Sequence, residues 1–214
     1  MFTVRGKNQS LTATNMFIEV KKEASQDIFT DPPGGSPIPN YKFTVDTWSE
    51  EESLESRILA LGQNGRYAHT VLTRQIRVRA FSLTISGTTA RIVCWERSGA
   101  IVTEAFDYKT NPHILVDFVW RFVKTNKLQR GFDPTAVAVD SKDDRDSFLA
   151  AIRSHAQLQL DLDPETDGEE LDREVNDHCY YGAITRLTIG NYDIWVSRPI
   201  WVAPFVVGRC TAGY

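Results

Sequence analysis

Residues 76–106 read IRVRAFSLTISGTTARIVCWERSGAIVTEAF, and their period of two decides the fold class. Ile76, Val78 and Ala80 alternate with Arg77 and Arg79, and Phe81, Leu83 and Ile85 continue on one face. A strand with one covered face presents this alternation. Ser86-Gly-Thr-Thr89 reads as a hairpin turn and Ala90–Trp95 as the returning strand. Arg97-Ser-Gly99 turns again into a third strand over Ala100–Phe106. The result is an antiparallel meander.

Outward from it, helical spacing takes over. Ser49, with Glu52 three residues on, opens a helix whose apolar residues are Leu54, Ile58 and Leu61. Ala68 and Leu72 join if it survives Gly62 and Gly65. Asn111-Pro112 starts a second helix with Ile114, Leu115, Phe118, Val119 and Phe122 on one stripe, ended by Gly131-Phe-Asp-Pro134. A third covers Asp144–Leu160, with Phe148, Ile152, His155 and Leu158 at helical spacing. Strands are expected at Met16–Val20, Tyr180–Ile189 and Tyr192–Val196, the last two joined by Gly190-Asn191. The dense Pro and Gly of residues 31–39 exclude helix and central strand. Trp95, Trp120, Trp195 and Trp201 are assigned to core and edge positions. The expected class is α+β: a mixed sheet with flanking helices.

At 214 residues and 42% hydrophobic, the chain can bury a sizeable core, and 24% charged residues exclude wholesale disorder. Apolar runs such as Ile114–Val119 are too short for a bilayer, so no membrane partner is expected. The N-terminus lacks an apolar signal core, and Cys94, Cys179 and Cys210 stand at wide spacings. Both point to reduced thiols in the cytoplasm or nucleus. Nine acidic residues against Arg173 alone give 161–177 a charge of −8, leaving the rest of this net −4 chain at +4. A weak nucleic-acid contact is compatible with that basic remainder; solvated charge explains it as well.

Several uncommon residues recur in one order. They are Gly62-Gln63, Tyr67-Ala68, Arg74-Gln75-Ile76-Arg77, ARIVCWERSGAIVT at 90–103, Phe118-Val-Trp-Arg121 and QRGFDPT at 129–135. Together they resemble the fungal-type protein kinase family, in the long region ahead of its kinase core. The resemblance spans Phe17 to Tyr214 and places the family's glycine-rich turn at 208–214, with Gly208 and Gly213 as nucleotide-binding positions. Cys210 stands where the middle glycine of GxGxxG would let a phosphate approach. In such kinases the phosphate-pairing lysine, its glutamate and the two functional aspartates come later, and residues 1–214 contain neither His-Arg-Asp nor Asp-Phe-Gly. The resemblance therefore implies a truncated or non-catalytic member acting as a binding or regulatory module for an unidentified protein partner. No cofactor and no specific ATP binding are expected; ATP and Mg are implied only for full-length relatives. The alternative is the N-terminal fragment of an active kinase.

Glu19-Val20-Lys21 adds an E-x-K tripeptide on a strand, which puts both charged side chains on one face. That order is similar to the PD-(D/E)xK nuclease fold (the restriction-endonuclease core), where the glutamate holds a divalent metal and the lysine orients water. It implies a metal-dependent nuclease, or a degenerate nucleic-acid-binding domain. Against activity, residues 1–18 contain no Asp or Glu to share a cation, and the tripeptide also arises by chance. Asp163, Glu165, Asp167, Gly168 and Glu174 match positions 1, 3, 5, 6 and 12 of an EF-hand loop, so Asp163, Asp167 and Glu174 are weak metal candidates. Pro164 and the strand-like sequence after Glu174 favour a flexible acidic linker. The histidines give no ligand set: His69 and His155 lie at core spacing, and His113 and His178 stand alone. The expected domains are a nuclease-like core over 10–135, a helix and acidic linker over 136–177, and the opening strands of an incomplete kinase small lobe over 178–214.

Overall fold

Alternation along residues 79–96 produces the centre of the larger sheet. The computed structural model describes residues 14–33, 41, 43–44, 54–161, 163, 168–180, 184–197, 201–202 and 212–213; the side chains of 54, 56, 174, 176–180, 201–202 and 212–213 lie outside that description. Strand β1 (Met16–Lys21) pairs in parallel with β2 (Arg79–Ser86). A parallel partner demands a crossover, which helix α1 (Leu54–Arg74) supplies. Strands β3 (Thr89–Glu96) and β4 (Gly99–Val102) then complete the meander in the order β1-β2-β3-β4, and β5 (Phe106–Asp107) also pairs with β3. The class is α+β, a mixed sheet with flanking helices. At the first hairpin Gly87 has φ +61, and a Cβ there would come 2.9 Å from the Ala24 nitrogen. Glycine meets both demands at once.

The meander departs from its sequence pattern at both ends. Its first strand begins at Arg79, because Ile76 turns the chain out of α1 at φ +49. That turn inverts the faces: Arg77 is fully buried and Val78 exposed. The strand expected over Ala100–Phe106 is broken between β4 and β5. There the amide of Ala105 donates to Asp31 Oδ2 at 3.1 Å instead of continuing the ladder.

Helix α1 runs unbroken through both glycines, and nothing crowds Gly62. Among the side chains described, its buried positions are Ala60, Asn64, Ala68, Val71, Leu72 and Thr73, while Ile58 is exposed. They close on Phe17, Ala80, Val93 and Trp95, whose indole Nε1 donates to Ser82 Oγ at 2.8 Å. Phe81 points to the opposite face, where helix α2 (Pro112–Lys124) brings Phe118 and Phe122 against it at ring separations of 6.4 and 5.7 Å.

Two arginines bind distant segments to this sheet. Arg91 Nε donates to Asp27 Oδ2 at 2.7 Å and Nη2 to Asp31 Oδ2 at 2.9 Å. Arg77 instead donates to the carbonyls of Thr14, Asn15 and Arg130 and to Gln75 Oε1, with its guanidinium 3.8 Å above the Phe132 ring.

Described residues up to Phe132 form one compact unit and those from Asp133 a second. The second holds an antiparallel sheet of β6 (Ala136–Ala138), β7 (Thr185–Ile189) and β8 (Tyr192–Val196). Gly190, at φ +61, closes the β7–β8 hairpin. Helices α3 (Lys142–Leu160) and α4 (Gly168–Tyr180) pack together, and Phe148, Ala156, Leu171, Ile184 and Val196 are buried. Three expectations are corrected here. From Gly168 the acidic stretch is helix, not linker or strand: Glu169 and Glu170 sit in a first turn that favours negative charge, and Leu171 is buried. The following strand therefore begins at Thr185 rather than Tyr180. On α3, His155 and Leu158 face solvent, and Ala156 is buried in their place. Finally β9 (Trp201–Val202) pairs antiparallel with β10 (Ala212–Gly213).

Candidate functional site

On β1, Glu19 and Lys21 do share a face, opposite Thr84 and Ser86 of β2 in the parallel register. The four residues line a small open cleft together with Asn64 of α1. Lys21 Nζ lies 2.8 Å from Glu19 Oε1, so the carboxylate is already neutralised by its neighbour. Asn64 is fully buried. Its Nδ2 donates to the Ala60 carbonyl at 2.9 Å, and its Oδ1 has no hydrogen-bond partner. The cleft thus offers one paired carboxylate and one orphaned amide oxygen. Sequence reasoning missed Asn64, since an asparagine among alanines on a helix reads as surface.

The remaining sequence candidates do not assemble. Asp163 is exposed at the end of α3; Asp167 and the side chain of Glu174 lie outside the described residues. Among the described residues no group of three or more His, Cys, Asp or Glu is placed to hold a metal. Gly208 also lies outside the description, and Gly213 pairs with Trp201 between β9 and β10. Cys94 is a free thiol whose pKa is pushed up by burial and by the Glu96 carboxylate, an environment opposite to that of a nucleophile.

A second surface comes from α2. Eight of its thirteen residues are apolar, yet none is fully buried. Phe118 and Phe122 face the sheet, while Val116, Trp120 and Val123 stand 64%, 61% and 64% exposed along the opposite side. Their i, i+4, i+7 spacing makes them one continuous stripe. Leu128, in the turn that follows the helix, is also exposed, at 59%. Trp120 is thus neither core nor edge, contrary to its sequence assignment. The spacing of 116, 120 and 123 was a usable signal, outweighed by the stronger stripe on the other side. Lys124 adjoins the stripe and Lys127 lies in the turn that follows, both exposed and without a carboxylate partner among the described residues; Arg121 is held by Asp117 at 2.8 Å.

The model of the family described as fungal protein kinase matches residues 43–170, more than half of the chain. The chain belongs to the fungal protein kinase family. No curated protein and no solved structure matches it. The match takes in α1, β2–β5, α2, β6 and α3, and so includes the exposed face of α2. Glu19, Lys21, Gly208 and Gly213 fall outside it. Within the matched region, most of the family-like residues have structural duties. Arg77 and Phe132 stack, and Trp95 bonds Ser82. Gly131, at φ +89, lies where a Cβ would stand 2.3 Å from the Arg79 carbonyl oxygen. Trp120 has no such duty. No described helix is long and apolar enough to cross a membrane.

Proposed function

We propose that this chain serves its family as a non-catalytic binding or regulatory module that engages a protein partner through the outer face of α2 and transfers no phosphoryl group itself. One observation carries the reading: a helix apolar on both sides, with Trp120 at the centre of the side left in solvent. The apolar arc of α2 is wider than the sheet-facing stripe that a surface helix needs. The excess, Val116, Trp120 and Val123, stands in solvent beside the polar face of Asp117, Arg121 and Lys124. Tryptophan and arginine are also the residues most often found at the energetic centre of protein interfaces. The reading assigns partner binding to residues 10–135 and leaves 178–214 as the opening strands of a kinase small lobe, in a cytoplasmic or nuclear setting. Incubation of the purified chain with labelled Mg-ATP and a general acceptor protein is expected to give no incorporation. Incorporation abolished by Gly208→Val would overturn the reading.

The orphaned Oδ1 of Asn64 favours a second reading, in which Glu19 and Asn64 hold a divalent cation and Lys21 orients water for nucleic-acid cleavage. The ion pair at 2.8 Å and the single carboxylate weigh against it. Magnesium-dependent plasmid nicking lost in Glu19→Ala would establish cleavage in place of the binding reading.

A further inference from the structure

We infer that the partner segment received by α2 is an acidic amphipathic helix, an inference that rests on the binding reading above. Its physical basis is the pairing of two properties on one helix side. Val116, Trp120 and Val123 provide an apolar stripe of two helical turns, long enough to receive an i, i+3/i+4, i+7 set of anchors, the usual contact of a helix laid along a groove or face. Charge then selects among such helices. Lys124 borders the C-terminal half of the stripe and Lys127 follows three residues on, both exposed and without a carboxylate partner among the described residues, whereas Asp117 on the same helix is committed to Arg121. Arg130 is engaged with the helix itself, 5.3 Å from the Phe122 ring centroid and donating to the Val123 carbonyl at 3.0 Å. A helix with leucines on one side and glutamates beside them would cover the stripe and meet both lysines. A lysine-rich helix of the same shape would cover the stripe and be repelled, so the rim gives discrimination as well as rate.

The experiment uses the full chain and two labelled peptides, one a synthetic amphipathic helix of leucine and glutamate, the other the same helix with lysine for glutamate. In fluorescence anisotropy the acidic peptide is expected to bind at least about tenfold tighter than the basic one, with Trp120→Ala weakening it by about tenfold or more. Reversing the rim with Lys124→Glu and Lys127→Glu leaves the stripe intact and is expected to invert the preference between the peptides. It decides the matter alone if Trp120→Ala fails to fold. Equal binding of both peptides, or acidic-peptide binding untouched by either change, overturns the inference. So does a Trp120-dependent association with a second copy in sedimentation, with poly(dT) or with phosphatidylserine vesicles in place of the peptide. Equal binding of both peptides leaves the binding reading of α2 standing. DNA or vesicles in place of the peptide overturn that reading too. The absence of catalysis falls separately, to phosphoryl transfer or cleavage by the chain.

Discussion

Arg91 and Arg77 lie within one compact unit and both are withdrawn from water, 4% and 0% exposed, but their surroundings differ in kind. Arg91 sits between two carboxylates. Burial disfavours its charge, yet Asp31 and Asp27 outweigh that penalty and hold its pKa above the ordinary value. Arg77 has only carbonyl and amide oxygens and an aromatic face. Burial and the nearby Arg130 charge push its pKa down to about 10. Several hydrogen bonds from its two Nη atoms do not by themselves compensate the charge of a guanidinium, and the buried Nε of Arg77 has no partner. Arg91 is an ion-pair clamp; Arg77 is a cation tolerated because it ties Thr14, Asn15 and Arg130 to one point.

The largest effect is expected from Arg91→Met, which strands Asp27 and Asp31 in a partly buried setting. A loss of about 3–5 kcal/mol in urea denaturation is expected. Arg77→Met should cost less, about 1–3 kcal/mol, because it abandons four acceptors but also removes an uncompensated charge. If Arg77→Met proves the more damaging, the distinction drawn between the two sites fails. A pH comparison sharpens it further. Arg77 has a folded pKa below its unfolded value, so above about pH 10 the unfolded chain holds the extra proton and stability rises with pH. Relative to Arg77→Met, the wild type should gain on the order of 1 kcal/mol between about pH 9 and pH 11. Taking the difference cancels the lysines and tyrosines that titrate in both chains.

The smallest effect concerns Asp31. Burial raises its pKa, but the Arg91 guanidinium and the Ala105 amide outweigh burial and hold the carboxyl below the usual range. A depressed acid contributes stability above its unfolded value and loses it as pH falls through the folded one. The wild type should therefore lose stability below about pH 4, and Arg91→Met should show a shallower slope there. Asp31 is 35% exposed, so solvent screening keeps this difference small. Parallel slopes in the two chains would show that Arg91 does not set the acid response.

How these sites read from sequence depends on the range of the signal. The hairpins at Gly87 and Gly99 and the helix across Gly62 and Gly65 were legible, because turn chemistry and period act over a few residues. The E-x-K pair was legible too, since alternation alone places Glu19 beside Lys21. Arg77 was misread: a period of two assumes a strand, and the left-handed Ile76 resets the register before the strand begins. The acidic helix was misread because Pro164 and the strand-like residues after Glu174 argued for a linker, while the burial of Leu171 is a tertiary term invisible locally. Asn64 and the outer face of α2 needed the structure, for whether an apolar or amide group finds a partner is decided by residues far along the chain.

The Arg91 clamp also bears on the order of folding events. Its partners Asp27 and Asp31 stand 64 and 60 residues away in sequence, whereas β2 and β3 meet across a two-residue loop. Closing a long loop costs chain entropy before its contacts form, so the hairpins can condense first and the segment at 27–31 dock late. A contact made after the rate-limiting step governs escape rather than arrival. In a chevron plot Arg91→Met should steepen the loss through faster unfolding and leave the refolding limb nearly in place. The lifetime of the folded unit would then rest on one guanidinium that plays little part in reaching it.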